Sequence, residues 1–130
     1  MQVKKKESGL KSKLMAELRK HAMIVALRHE DVRTAGIPDL STTSGGRTVW
    51  WECKHGTPLF GTTGIQELTM LRLAAAGLAR YIIWQENADG TERQTLIVRP
   101  SNLKSLTAEV SCAGFNMRFL AEYIFKAHRS

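Results

Sequence analysis

Cysteine is scarce in this chain: 130 residues hold only Cys53 and Cys112. Two such distant thiols make no disulfide framework, and the sequence has neither a C-x-x-C pair nor a zinc-ligand spacing. Long apolar runs are missing as well. The opening MQVKKKESGLKSK is charged and leads into no hydrophobic stretch, so neither a secretory signal nor a membrane span is expected. These absences point to a reducing, cytoplasmic setting. Internal repeats and low-complexity tracts are also absent. With 43% hydrophobic and 24% charged residues, the composition is that of a globular protein. Acidic residues are the minority, 12 against 19 Lys and Arg, for a formal charge of +7. That balance favours a polyanionic partner, either nucleic acid or an anionic membrane surface.

The length suits a single domain over residues 1–130, with residues 1–9 read as a solvated basic lead. Leu10, Leu14, Leu18 and Ala22 recur every four residues and predict an amphipathic helix over about 10–21. AMIVAL (22–27) reads as a strand, and Gly36 and Pro38 break the chain after it. A strand resumes at Leu40, SGG (44–46) turns it back, and TVWWECK (48–54) returns. HGTPLFGTTG (55–64) is a loop before a helix from Thr63 to about Ala76. ARYIIWQE (79–86) and RQTLIVRP (93–100) are strands joined by the turn signal NADG, and residues 116–127 are helical. The order α-β-β-β-α-β-β-α predicts an α/β fold with a mixed central sheet flanked by helices. The strands on either side of the second helix should be parallel neighbours.

Side chains alternate across a strand. In TVWWECK one face carries Val49, Trp51 and Cys53, and this face is expected under the crossover helix. The other carries Trp50, Glu52 and Lys54, which puts a carboxylate and an ammonium roughly 7 Å apart along the strand. Asp39 stands at the start of the preceding strand, across the hairpin, so two carboxylates can face one cavity. That donor set suits Mg²⁺, which takes one or two protein carboxylates and keeps several waters. The backbone carbonyl of Cys53 offers a third protein oxygen. Lys54 is then placed to orient a water or to stabilise charge at a phosphate.

PD at 38–39 followed by ECK at 52–54 resembles the PD-(D/E)XK pattern of the restriction-endonuclease-like nucleases. GIPDL, WWECKHG, Gln66 opening a helix and LAAAGLARYIIW resemble the VRR-NUC branch, small stand-alone type, over roughly residues 10–85. The resemblance implies metal ligation by Asp39 and Glu52, a catalytic Lys54, and site roles for Gln66 and for Glu17 on the first helix, Glu17 also as a further metal ligand. It implies Mg²⁺ or Mn²⁺ as cofactor. It also implies DNA, branched or four-way-junction DNA in particular, as substrate, a homodimer as the working unit, and a bacterial or phage-infected cell as the setting. The expected activity is metal-dependent endonucleolytic cleavage of DNA. A flap-trimming, end-trimming or nicking nuclease is the alternative within enzymes. A catalytically inactive DNA-binding module on the same fold is the alternative outside them. No second domain is present, and the region from Arg99 onward has no counterpart in the resemblance.

Structural readings stand beside these. Glu52 and Lys54 can form an exposed ion pair of little worth. Glu17 can pair with Lys13 or Lys20 on the helix surface. Gln66 can close a capping box with Thr63. Cys53 reads as a small core residue. His55, His21, His29 and Glu30 carry no assigned role. Lys4, Lys5, Lys6, Lys11, Lys13, Arg19 and Lys20 hold seven of the nineteen basic residues and read as a phosphate-gripping arm or a soluble lead. On the last helix, Phe115, Met117, Phe119, Tyr123 and Phe125 exceed one stripe; all can be core, or some, around Phe119, Tyr123 and Phe125, can bury at a two-fold interface.

Overall fold

The computed structural model describes residues 2–29, 36–56 and 64–129, with backbone only for residues 2–5. Three helices and six strands follow in the order α1 (Gln2–Leu18), β1 (Val25–Arg28), β2 (Leu40–Ser44), β3 (Arg47–Gly56), α2 (Gly64–Ala76), β4 (Leu78–Glu86), β5 (Arg93–Val98), β6 (Ala108–Ala113) and α3 (Met117–Arg129). The strands form one sheet in chain order, β1 to β6. Every neighbouring pair is antiparallel except β3 and β4, which run parallel because α2 carries the chain back between them. The fold is therefore α/β with a mixed sheet and flanking helices. Among the described residues no helix is long and apolar enough to cross a membrane.

Alternation along the central strands builds two cores. Val49, Trp51 and Cys53 of β3 join Ile82 and Trp84 of β4 under Leu10, Leu14 and Leu18 of α1 and Leu120 and Ile124 of α3. Ala79, Tyr81 and Ile83 of β4 join Leu96 and Val98 under Met70 of α2, with Trp50 packed against them. The Val49–Trp51–Cys53 face thus lies under α1 and α3, not under the crossover helix as the alternation alone suggests. The crossover occupies the opposite face, where the smaller side chains Ala74 and Ala79 lie in its core. Trp51 tolerates full burial because its Nε1 donates to Thr42 Oγ1 at 2.9 Å.

Three expectations are corrected. Residues 2–9 are helical and form the first half of α1, with most of their described side chains exposed. KKKES contains good helix formers and no proline, and the single Gly9 is tolerated. β1 starts at Val25 because Ile24 N–H closes a turn onto His21 O at 3.1 Å, so residues 22–24 are not strand. β6 was not expected at all. Its sequence AEVSCA alternates half-buried and exposed with only Val110 as a large apolar residue, a weak signal typical of an edge strand. On α3, Phe119, Tyr123 and Phe125 are partly buried against the core. Among the described residues, the exposed large apolar side chains are Met23, Val25 and Leu27 near β1 and Ile65, Leu68 and Leu71 on α2.

Candidate metal and phosphate site at the β2–β3 edge

The start of β2 fixes the site. β2 begins at Leu40, paired with Trp51, whereas β3 runs on to Gly56. Beyond Trp51, the backbone groups that β3 directs toward β2 have no ladder partner there. The carboxylate of Asp39 fills that gap: Cys53 N–H donates to Asp39 Oδ2 at 2.8 Å. N–H and C=O of one strand residue point the same way, so the Cys53 carbonyl faces this side too. In return, Asp39 N–H donates to Glu52 Oε1 at 3.0 Å. The two carboxylates are thereby locked together across the hairpin.

Gly36 and Pro38 bring Asp39 there. Gly36 adopts φ +84°, and a Cβ on it would stand 2.7 Å from Ile65 Cγ2 and 2.9 Å from Thr69 Oγ1. Only glycine lets this loop press so closely against the first turns of α2. Pro38 is buried, and His29 N–H donates to Asp39 O at 2.8 Å, tying the loop to the end of β1. The same approach of loop to helix brings Gln66 to the site. Lys54 Nζ donates to Gln66 Oε1 at 3.3 Å and lies 3.6 Å from Glu52 Oε2.

Glu52 is 3% exposed, so the Glu52–Lys54 pair is not the exposed surface bridge of the structural alternative. Burial, and then the charge of Asp39, push the Glu52 carboxyl up to about 8, against the pull of Lys54. Tyr81 pairs with Glu52 in register, and burial with the charges of Glu52 and Glu67 pushes its phenol up to about 12. Cys53 is fully buried, and burial followed by the charge of Asp39 raises its thiol well above the ordinary range. It is a core residue with no nucleophilic character.

Two residues of α1 reach the site without having been expected there. Lys11 Nζ donates to Asp39 Oδ1 at 3.1 Å, with both side chains largely buried. Burial alone would lower the Lys11 ammonium, but the charge and hydrogen bond of Asp39 outweigh it and raise its pKa. Glu7 acts electrostatically on both Lys11 and the Cys53 thiol. It precedes Lys11 by one turn and continues the Leu10–Leu14–Leu18 stripe backwards, a signal readable once the helix is extended through residues 2–9. Glu17 is not brought to this cluster. It pairs with Lys20 at 2.9 Å, about 9 Å further along the helix axis than Lys11.

The basic arm is also partly spent on internal carboxylates. Lys6 pairs with Glu86 at 3.2 Å, Lys11 with Asp39 and Lys20 with Glu17. His55 ends β3 in a buried position, 3.3 Å from Glu86 Oε1 and edge-on to Phe115. His29 bonds Ser41 Oγ at 2.8 Å, and His21 stacks near Phe125. Thr63, the expected capping partner of Gln66, and Glu30 lie outside the described residues, as does the loop over 57–63.

Among the described residues no group of three or more His, Cys, Asp or Glu side chains is placed to hold a metal. The donor set is a carboxylate pair with one backbone carbonyl, which fits a cation that keeps most of its waters. Softer metals that want nitrogen or sulfur ligands do not fit it. Compared with known proteins, the chain matches no family model, and it matches no curated protein sequence.

Proposed function

We propose that the protein is a Mg²⁺- or Mn²⁺-dependent DNA endonuclease of the PD-(D/E)XK type, with branched DNA as its preferred substrate. One observation carries the reading: two carboxylates, Asp39 and Glu52, are locked together at a strand edge with a lysine beside them. Like charges buried so closely need compensation, which Lys11 and Lys54 give without metal and a divalent cation would give when bound. Asp39, Glu52 and the Cys53 carbonyl would hold it. When bound, the cation supplies Lewis-acid polarisation of the scissile phosphodiester and activates water for attack.

The chain's own residues do the rest. Gln66 Oε1 and Glu52 Oε2 hold the Lys54 ammonium on two sides. An ammonium has three donors, so one stays available for charge that develops on the phosphate. The backbone N–H groups of Asp39 and Cys53 hold the Glu52 and Asp39 carboxylates respectively, which preorganises the pair. The net charge of +7 supplies attraction for the DNA backbone.

The test is cleavage of a labelled four-way junction and a linear duplex, in Mg²⁺ and in EDTA. Asp39→Asn and Glu52→Gln should abolish cutting and leave DNA binding largely intact. Asparagine and glutamine each keep one acceptor oxygen, so the backbone bonds survive while the ligand charge is lost. Lys54→Ala should lower turnover by about 10²–10³ without unfolding the chain. Cutting that persists in EDTA, or at near wild-type rate in either carboxylate variant, overturns the assignment.

A further inference from the structure

The four carboxylate oxygens of the pair are all engaged. Asp39 Oδ2 and Glu52 Oε1 accept from backbone N–H groups, and Glu52 Oε2 faces Lys54. Asp39 Oδ1 alone is held by a side chain from another element, the Lys11 ammonium at 3.1 Å. We infer that Lys11 is a resident counter-cation that competes with the metal for Asp39, and that DNA relieves this competition by drawing the Lys11 ammonium onto a phosphate. The inference rests on the metal-site reading and adds a regulation to it: DNA and cation bind with positive coupling.

The geometry supports each part. Lys11 and Asp39 are 15% and 23% exposed at the side chain, so solvent and salt screen the pair little. A divalent cation bound to an Asp39 oxygen at about 2 Å would stand beside an ammonium of the same sign. The two compete for the same carboxylate. The Lys11 stem is flexible and its helix is anchored independently by Leu10, Leu14 and Leu18, so the ammonium can move without moving the fold. α1 is the most lysine-rich element, with Lys4, Lys5, Lys6, Lys11 and Lys13, and a DNA backbone attracted to it arrives beside Lys11. By linkage, whatever DNA does to cation affinity the cation does to DNA affinity.

The experiment is Mn²⁺ titration of the metal-free protein, read by calorimetry and by the paramagnetic resonance signal of free Mn²⁺, with no cleavage involved. Wild type, Lys11→Met, Lys11→Arg and Asp39→Asn are compared, each with and without a short DNA duplex. Lys11→Met keeps the stem length and removes the charge, and should bind Mn²⁺ about tenfold more tightly than wild type without DNA, equivalent to ~1.4 kcal/mol. Lys11→Arg should stay near wild type. DNA should tighten Mn²⁺ binding in wild type and change it little in Lys11→Met. If Lys11→Met fails to fold, Lys11→Gln replaces it. Unchanged or weaker Mn²⁺ binding on loss of the charge overturns the inference, as does equal tightening by DNA in both proteins. If Asp39→Asn abolishes uptake while Lys11→Met matches wild type, the cation site stands and only the role of Lys11 falls. If wild type takes up no Mn²⁺, the site and the inference fall together.

Discussion

Glu52 shows how far one position in a strand can be driven from its ordinary chemistry. In an exposed strand it would be a carboxylate with an ordinary pKa. Here burial and then Asp39 raise it to about 8. The sign of the consequence is fixed by linkage. Folding favours the protonated form, so the group's contribution is complete below the unfolded value near 4.5 and is lost as pH rises through about 8. Metal-free protein should therefore lose stability from pH 5 to pH 8 relative to Glu52→Gln, by at most about 1.4 kcal/mol per pH unit. Chemical denaturation in EDTA at both pH values measures this, and parallel pH profiles for the two proteins would contradict it. The neighbours of Glu52 were partly readable. Lys54 follows from strand alternation, and Gln66 from the resemblance to the VRR-NUC branch. Glu7 and Lys11 were not, because 41 residues separate Lys11 from Glu52 and only the docking of α1 brings them together.

At the scale of elements, the loop–helix contact at Gly36 is the part that positions Asp39. Its φ of +84° disfavours any side chain, and a Cβ would also meet Ile65 and Thr69. Gly36→Ala should destabilise the protein by about 1–3 kcal/mol. If it displaces Asp39 by even an ångström, cleavage should fall by about 10²-fold. Thermal melting and single-turnover cleavage together check this; a variant with wild-type stability and rate would mean the loop relaxes without moving Asp39. The GIPDL segment signalled a break in the chain, and its sequence could be read to that extent. That the break is a contact with α2 depends on where the crossover lands. Helix α1 carries a similar lesson. Its charged first half was read as a lead because it lacks an apolar stripe of its own, but Lys6 and Glu86 tie it down at 3.2 Å.

At the scale of the whole molecule, α2 carries an exposed apolar stripe among the described residues. Ile65, Leu68 and Leu71 recur every third residue along α2, each about half exposed. A two-fold axis brings such a stripe against its own copy, so it is self-complementary. We predict a dimer at micromolar concentration in light scattering, with the α2 stripe in the interface. Leu68→Glu should make it monomeric and change the melting temperature little, since Leu68 is 49% exposed. A monomeric wild type, or a dimer unaffected by this substitution, would show that the stripe serves no such contact. Two copies would present two Asp39–Glu52–Lys54 sets, which paired nicks in a four-way junction require.

The sequence by itself determined the α/β class, the parallel β3–β4 pair and the adjacency of Glu52 and Lys54. These follow from local periodicity, from the crossover between two strands and from the alternation of side chains, all set within a few residues of one another. Tertiary structure alone decided which helices cover which face of the sheet. The alternation of TVWWECK separates two faces but cannot say which of them meets α2. It also decided that Lys11 stands at the carboxylate pair while Glu17 pairs with Lys20. The rotation of α1 is set by how Leu10, Leu14 and Leu18 pack onto Trp51, Cys53 and Trp84, a contact between segments far apart in the chain. A helix carries several charged faces in its sequence, and only the packing of its apolar stripe selects the one that reaches the site.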